Sequence, residues 1–153
     1  MEPLHPRIRA LWVGYAAAVG FAVGLVLIVI DLQLYDLPIF LPGAVTTVLM
    51  LSGIGYSFKL YQTWRFDVEA DALYLERGVI TFVETAVPFV RVQHVDTQFG
   101  PVERLLGLSS VVVYTAGSRN ADVRIPGLPP NRARELQNVL RELAVESEAD
   151  DAV

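Results

Sequence analysis

Two long apolar runs near the start of the chain constrain its fold more than any other feature. Ile8–Ile30 contains one charged residue, Arg9, close to its beginning, and Pro38–Phe58 contains none. A helix needs about 20 apolar residues, each rising about 1.5 Å, to cross a bilayer. A signal peptide has a shorter apolar core and a small-residue cleavage site, and no such site follows the first run. The sequence therefore predicts two transmembrane helices, over about 8–30 and 38–58.

The charges around these runs predict how the chain crosses the membrane. The short linker Asp31–Leu37 contains two acids and no base. Basic residues flank the outer ends of the runs, at Arg7, Arg9, Lys59 and Arg65. Cytoplasmic flanks carry an excess of Lys and Arg, so we expect a multi-pass protein of the cell membrane with cytoplasmic N- and C-termini.

Small residues and missing charges bear on what the two helices do. Gly20 and Gly24 match a helix-dimer motif, but glycine is common in membrane helices and packing within the hairpin is the favoured interpretation. The middle of each run contains no ionisable residue, which transporters and proton relays normally need. We therefore expect residues 1–63 to form an N-terminal segment and an anchoring hairpin.

Composition removes several kinds of function from consideration. The chain contains no cysteine, and its two histidines, His5 and His94, lie far apart, so we expect no metal site and no cofactor. Residues 65–153 contain nine arginines and fourteen acids, which accounts for the whole net charge of −5. Binding to nucleic acid depends on clustered cations, so we expect no nucleic-acid partner.

The second half of the chain has the alternating pattern of β-strands with one solvated face. The predicted strands lie at 65–69, 73–76, 79–85, 90–97, 109–116 and 121–125. In the fourth strand Val92 and Val95 are three residues apart, and this break in alternation predicts a β-bulge. Gly117–Asn120 is a predicted turn between the last two strands.

A single amphipathic helix follows the strands. Its apolar stripe has the spacing i, i+3, i+4 and i+7, formed by Leu136, Val139, Leu140 and Leu143. Two prolines and an asparagine at 129–131 supply start signals. The acidic end, 146–153, is predicted to be a disordered tail. The predicted cytoplasmic domain is therefore 64–145.

Four short segments resemble motifs of a bacterial family. Leu75–Ile80 resembles its strand, Arg-Gly, strand turn, and Val87–Val95 is similar to its Pro-x-x-Arg-Ile-Gln-x-Val segment. Gly100–Leu108 matches its Arg-x-x-Gly turn, and Ile125–Leu128 precedes the helix as in the family. The family is the bacterial pleckstrin-homology (PH)-like domain, also called the membrane-flanked domain or bacterial pleckstrin-homology domain 2, formerly a domain of unknown function.

The resemblance implies an α+β membrane protein. A two-helix transmembrane hairpin would precede a PH-like seven-stranded β-barrel of two near-orthogonal sheets, capped by the C-terminal helix. It implies no catalytic residues, and we expect the chain not to be an enzyme. Phosphoinositide binding does not carry over, because the first predicted turn of this domain contains the acids Glu69 and Asp71 instead of a basic loop.

The candidate binding residues are Arg91, Gln93 and Arg104, which lie within the matched motifs. They are suited to a partner's carboxylate or a lipid phosphate. The favoured interpretation is structural, with Arg91 and Arg104 paired to local acids such as Glu84 and Glu103. His94 and Asp96 resemble half of an acid–base pair, but the sequence supplies no nucleophile at motif spacing.

Two functions remain open from the sequence. The first is a membrane-anchored interaction module that binds a protein partner, either another membrane protein or a second copy of this chain. The alternative is a lipid- or envelope-sensing module that contacts the inner leaflet through Arg65, Arg91 or Arg104. In both cases the lipid bilayer is a partner through the hairpin.

Overall fold

The computed structural model describes residues 1–34, 38, 40–117 and 122–151. Parts of five predicted features fall outside these residues, namely the linker at 35–37, residue 39 of the second apolar run, the turn at 118–120, residue 121 of the last predicted strand and the last two residues of the tail. The helices within the described residues are α1 (Arg7–Leu34), α2 (Phe40–Thr63), α3 (Pro101–Leu105) and α4 (Pro130–Asp151). The strands are β1 (Glu2–Pro3), β2 (Arg65–Val68), β3 (Ala72–Arg77), β4 (Val83–Pro88), β5 (Val92–Gln98), β6 (Ser109–Thr115) and β7 (Val123–Leu128).

The chain divides into two compact units. Arg9–Tyr61 forms the helical unit, whereas Met1–Ile8 and Gln62–Val153 together form the domain unit. The domain unit therefore includes residues from both sides of the helical pair. This differs from the predicted boundary, which assigned all of 1–63 to the hairpin segment, because the sequence pattern of the first few residues is too short to reveal a strand.

The helical unit consists of two helices long and apolar enough to cross a membrane. The helices α1 and α2 contain 28 and 24 residues, about 42 and 36 Å at 1.5 Å per residue. Only 11% of the apolar window of each helix is buried, whereas the core helix of a soluble protein would be mostly buried. A Cβ atom on Gly20 would overlap Met50, and one on Gly24 would overlap Thr46. The two glycines therefore allow α1 and α2 to pack closely, as the hairpin interpretation predicts.

The domain unit has a PH-like fold with two antiparallel sheets. Their strand orders are β1-β2-β3-β4 and β5-β6-β7. The sequence predicted six of these seven strands, and the seventh is β1, which precedes the apolar helices. The predicted bulge is present, since the register of β5 against β6 shifts between Val92 and His94. The third predicted strand begins later, at Val83, because 78–82 form the turn that connects β3 to β4.

The core lies between the sheets and α4. Phe66, Leu73 and Leu75 are buried on the first sheet and Val111, Val113 and Ile125 on the second. Helix α4 contributes Ala133, Leu136 and Leu140. Val139 is 37% exposed, so the buried apolar stripe of α4 is narrower than the sequence predicted. The helix continues to Asp151, so residues 146–151 are helical where the sequence predicted a disordered tail.

The N-terminal segment completes the domain. Strand β1 pairs with β2 through Glu2–Phe66 and Pro3–Arg65, and Leu4 and Ile8 are each 1% exposed. Gly127 has a φ of +65°, and a Cβ atom there would lie 2.6 Å from the Cβ of Ile8. Glycine is therefore required at this position both for its backbone angle and for close approach.

Ion pairs also attach this segment to the domain. The N-terminal ammonium of Met1 donates to Asp67 Oδ2 at 2.8 Å, and this hydrogen bond lowers the pKa of the Asp67 carboxyl. The Glu2 carboxylate accepts from Nε of Arg132, in α4, at 3.1 Å, and this pairing raises the pKa of the guanidinium. Strand β1 is therefore linked to both β2 and α4.

Truncating a side chain of the N-terminal segment tests whether it belongs to the core. We expect Leu4→Ala to lower the free energy of unfolding of the full chain by about 2–5 kcal/mol, since it leaves a cavity at a fully buried site. The measurement is urea unfolding in detergent. The control is Val145→Ala, at a position 62% exposed, with an expected change within about 0.5 kcal/mol. Equal effects of the two substitutions would contradict the assignment of Leu4 to the core.

Candidate functional site

A groove between β5 and the last turns of α4 is the main candidate site in the domain unit. Its volume is about 440 Å³. Val90, Gln93 and His94 line one wall, and Arg141, Val145 and Glu148 of α4 line the other. Val90 and Val145 are 48% and 62% exposed, so the groove presents apolar side chains beside charged ones.

Local backbone geometry positions the β5 wall. The 3₁₀ turn Phe89–Arg91 leads into β5, and the Ala116 amide donates to the Arg91 carbonyl at 2.7 Å, next to the end of β6. The bulge then places Gln93 as the extra residue, which turns it toward the groove. The backbone of the segment that contains Arg91 and Gln93 therefore shapes this end of β5.

His94 is held on the sheet surface by its neighbours. Its Nε2 lies 2.8 Å from Asp96 Oδ1, two residues along the same strand. Its ring also lies 5.6 Å from that of Tyr114 on β6. Residues i and i+2 of a strand share a face, so the pair follows directly from the strand geometry. This arrangement agrees with a surface histidine in the wall of the groove.

Gln137 of α4 covers part of the exposed edge of β5. Its side-chain amide donates to the Val95 carbonyl at 2.7 Å, and its oxygen accepts from Thr97 Oγ1 at 2.9 Å. In the strand order β5-β6-β7, β5 is an edge strand. The α4 side chain therefore covers this edge from Val95 onward and leaves the groove beside the bulged end.

The predicted site residues do not form one cluster. Arg91 and Gln93 lie at the beginning of β5, at or next to the groove, whereas Arg104 is in α3, beyond the other end of the strand. Strand β5 contains seven residues, so its ends are roughly 20 Å apart at about 3.3 Å per residue. Arg91 and Arg104 therefore cannot bind the same small headgroup.

The acid expected to pair with Arg104 has a different partner. Glu103, which is 8% exposed, lies 3.3 Å from Nη2 of Arg124 on β7 and accepts from the Gly100 amide at 2.9 Å. Arg124 also donates through Nη2 to Ser110 Oγ at 2.8 Å. This cluster attaches α3 to the second sheet, and no sequence signal connects its members because they are far apart in the chain.

The sequence patterns did not predict that the end of α4 forms a wall of the groove. Arg141, Val145 and Glu148 lie at or beyond the end of the apolar stripe, and 146–153 was assigned to a tail. A usable signal was present, because 141–151 contains no glycine or proline and includes three Glu and two Ala, which are good helix formers. Among the described residues, no group of three acidic or histidine side chains is placed to hold a metal ion.

Comparison with known proteins assigns the chain to a family. The sequence model of the family described as "Bacterial PH domain" matches residues 9–144, which is most of the chain. The chain belongs to the bacterial PH domain family. The match includes both apolar helices and the domain that follows, in agreement with the resemblance seen in the motifs.

A bacterial relative supports the membrane assignment of this bacterial PH domain protein. The chain is 29% identical over 106 residues to the UPF0699 transmembrane protein YdbS of Bacillus subtilis (strain 168). The aligned region covers 69% of this chain and 62% of the relative, so it spans less than two thirds of the relative's length. No solved structure gives a significant match.

Removing the Gln137 side chain tests its effect on the edge of β5. We expect Gln137→Ala to lower the free energy of unfolding by about 1–3 kcal/mol, because the carbonyl of the buried residue Val95 loses its partner. Hydrogen exchange of the β5 amides should also become faster. The control is Asn138→Ala, at the exposed neighbouring position on α4. Unchanged exchange in β5 after Gln137→Ala would show that Gln137 does not hold this edge.

Proposed function

We propose that this chain is a membrane-anchored, non-catalytic interaction module that binds an extended segment of a protein partner at the cytoplasmic face of the cell membrane. The partner is another membrane protein or a second copy of this chain. The observation that carries the proposal is the groove beside the edge strand β5, which combines exposed apolar and charged side chains. The family assignment supports the PH-like domain and the membrane, and the groove supports the binding role.

The pairing of β1 with β2 supports an orientation with both termini on one side. The segment before α1 and the domain after α2 belong to one compact unit, so they share a compartment when both helices cross the bilayer. Arg9 lies 5.1 Å from the ring of Phe58 and 5.7 Å from that of Tyr61, so cation and rings gather at the outer ends of the helices. The positive-inside rule makes this side cytoplasmic.

The groove favours an extended peptide over a compact ligand. An edge strand can receive an added strand through main-chain hydrogen bonds, while pockets beside it select side chains. Here Gln137 closes the edge at Val95, so the added segment would be short and would lie along the bulged end of β5. Val90 and Val145 suit an apolar side chain, and Arg141 suits a carboxylate.

Labelling of introduced cysteines tests the orientation in a chain that has none of its own. In intact bacterial cells we expect a membrane-impermeant maleimide to label Gln33→Cys, near the end of α1, because that end faces outward. Asn138→Cys, on α4, should react only after lysis. The reverse pattern, or labelling of both positions in intact cells, would refute a cytoplasmic domain.

A charge placed in the groove tests partner binding. We expect Val145→Glu to cause loss of a stoichiometric partner from the detergent-solubilised protein, because the position is 62% exposed and the change alters the groove without removing core packing. The matched control is Val139→Glu, on the same helix, 37% exposed and outside the groove. Recovery is measured by quantitative mass spectrometry, and self-association by size.

Three outcomes are distinguishable. Loss of a second protein with Val145→Glu alone identifies a heterologous partner, and loss of a dimer identifies a second copy of the chain. Equal recovery with Val145→Glu and Val139→Glu would overturn the proposed role of the groove.

A further inference from the structure

The chain connects the domain unit to the helical unit at two points, after Ile8 and before Gln62. Both connections are short, since β1 ends at Pro3 and α1 begins at Arg7, while α2 ends at Thr63 and β2 begins at Arg65. Loops of the domain unit that lie beside these connections therefore lie beside the chain segments that lead into α1 and out of α2.

The segment between β5 and β6 lies beside the first connection. Nη1 of Arg7, the first residue of α1, donates to the Leu106 carbonyl at 3.3 Å. The amide of His5 donates to the Gly127 carbonyl, at the end of β7, at 3.0 Å. These two bonds place α3 and its flanking residues next to the point where the chain enters α1.

The turn between β3 and β4 lies beside the second connection. In the register of the first sheet Arg65 pairs with Glu76, and the next residue of β3, Arg77, pairs with Val83 of β4. The turn at 78–82 therefore extends beyond Arg65, the first residue of β2, on the side where the chain arrives from α2. Gly78, with a φ of +108°, makes the reversal that a side chain would hinder.

Both segments present large apolar side chains to the surroundings. Ile80 and Leu105 are 90% and 86% exposed, which are high values for apolar residues of a packed domain. Phe82 is 53% exposed, and Phe99 and Val102 are 41% and 40% exposed, with the guanidinium of Arg134 6.0 Å from the Phe99 ring.

Charged side chains flank both segments. Arg77 and Arg104 adjoin the apolar side chains, at positions suited to phosphate headgroups, and Glu76 and Glu84 also flank the first segment. At the other end of β2 and β3, the turn formed by Glu69, Ala70 and Asp71 exposes two carboxylates and one alanine. Apolar side chains with flanking arginines match the interfacial layer of a bilayer.

We propose that residues 78–82 and 99–105, here called the apolar loops, insert their side chains into the interfacial layer of the same bilayer that α1 and α2 cross. The inserted side chains are Ile80 and Phe82 from one loop and Val102 and Leu105 from the other. The domain is thereby held against the membrane at two places in addition to its covalent connections. This proposal is independent of what the groove binds.

Depth-dependent quenching in the full chain tests the insertion. Single cysteines, Ile80→Cys and Leu105→Cys, are labelled with an environment-sensitive dye after reconstitution into phosphatidylcholine–phosphatidylglycerol vesicles. The control is Asn138→Cys, at an exposed position of α4 that does not line the groove. We expect a blue shift and strong quenching by lipids spin-labelled near the headgroup for positions 80 and 105, and neither for position 138. Aqueous iodide should quench only the probe at 138.

The same measurements separate the alternatives. Lipid quenching at 80 and 105 no stronger than at 138 overturns the proposal. In that case, if iodide shielding of the probes at 80 and 105 increases with the protein density in the vesicle, a second copy of the chain covers the loops instead. All three positions are exposed, so unchanged thermal unfolding of each variant verifies that the domain remains folded.

Discussion

Two antiparallel residue pairs, Glu2 with Phe66 and Pro3 with Arg65, join the chain before the two apolar helices to the chain that follows them. Leu4 and Ile8 bury their side chains in the same core, and Glu2 reaches Arg132 on α4. The helical pair is thus an insertion between the first and second strands of one PH-like sheet. Both connections to the helices therefore leave from one domain unit.

Two surfaces lie apart in the fold although their residues alternate along the sequence. The apolar loops lie beside the connections to the helices, whereas the groove lies at the bulged beginning of β5, beside the last turns of α4. Helix α4 has 22 residues, about 33 Å long, and its first turn follows directly on the end of β7. The loops proposed to contact lipid and the groove proposed to bind a partner therefore lie in different parts of the domain unit.

The sequence predicted the features that depend on local patterns. Two apolar runs, six strands, the β5 bulge and the start of the terminal helix all follow from residue periodicity and turn signals. Strand β1 has two residues and no periodicity, and its partner lies more than sixty residues away, so only the folded sheet reveals it. The same reason explains the pairing of Glu103 with Arg124 and the bond from Gln137 to Val95. The motif residues Arg91 and Arg104 belong to one sequence signature but to opposite ends of a strand.

The insertion of the helices between β1 and β2 has a consequence for how the protein is made. Strand β1 leaves the ribosome before either helix, and β2 leaves it after both. With the topology proposed above, a chain that integrates only one helix leaves Glu2 and Leu4 across the membrane from Phe66, so the sheet lacks its first strand and the core lacks Leu4 and Ile8. Completion of the domain fold then depends on correct integration of both helices, and a misintegrated chain exposes an unfinished core to proteases.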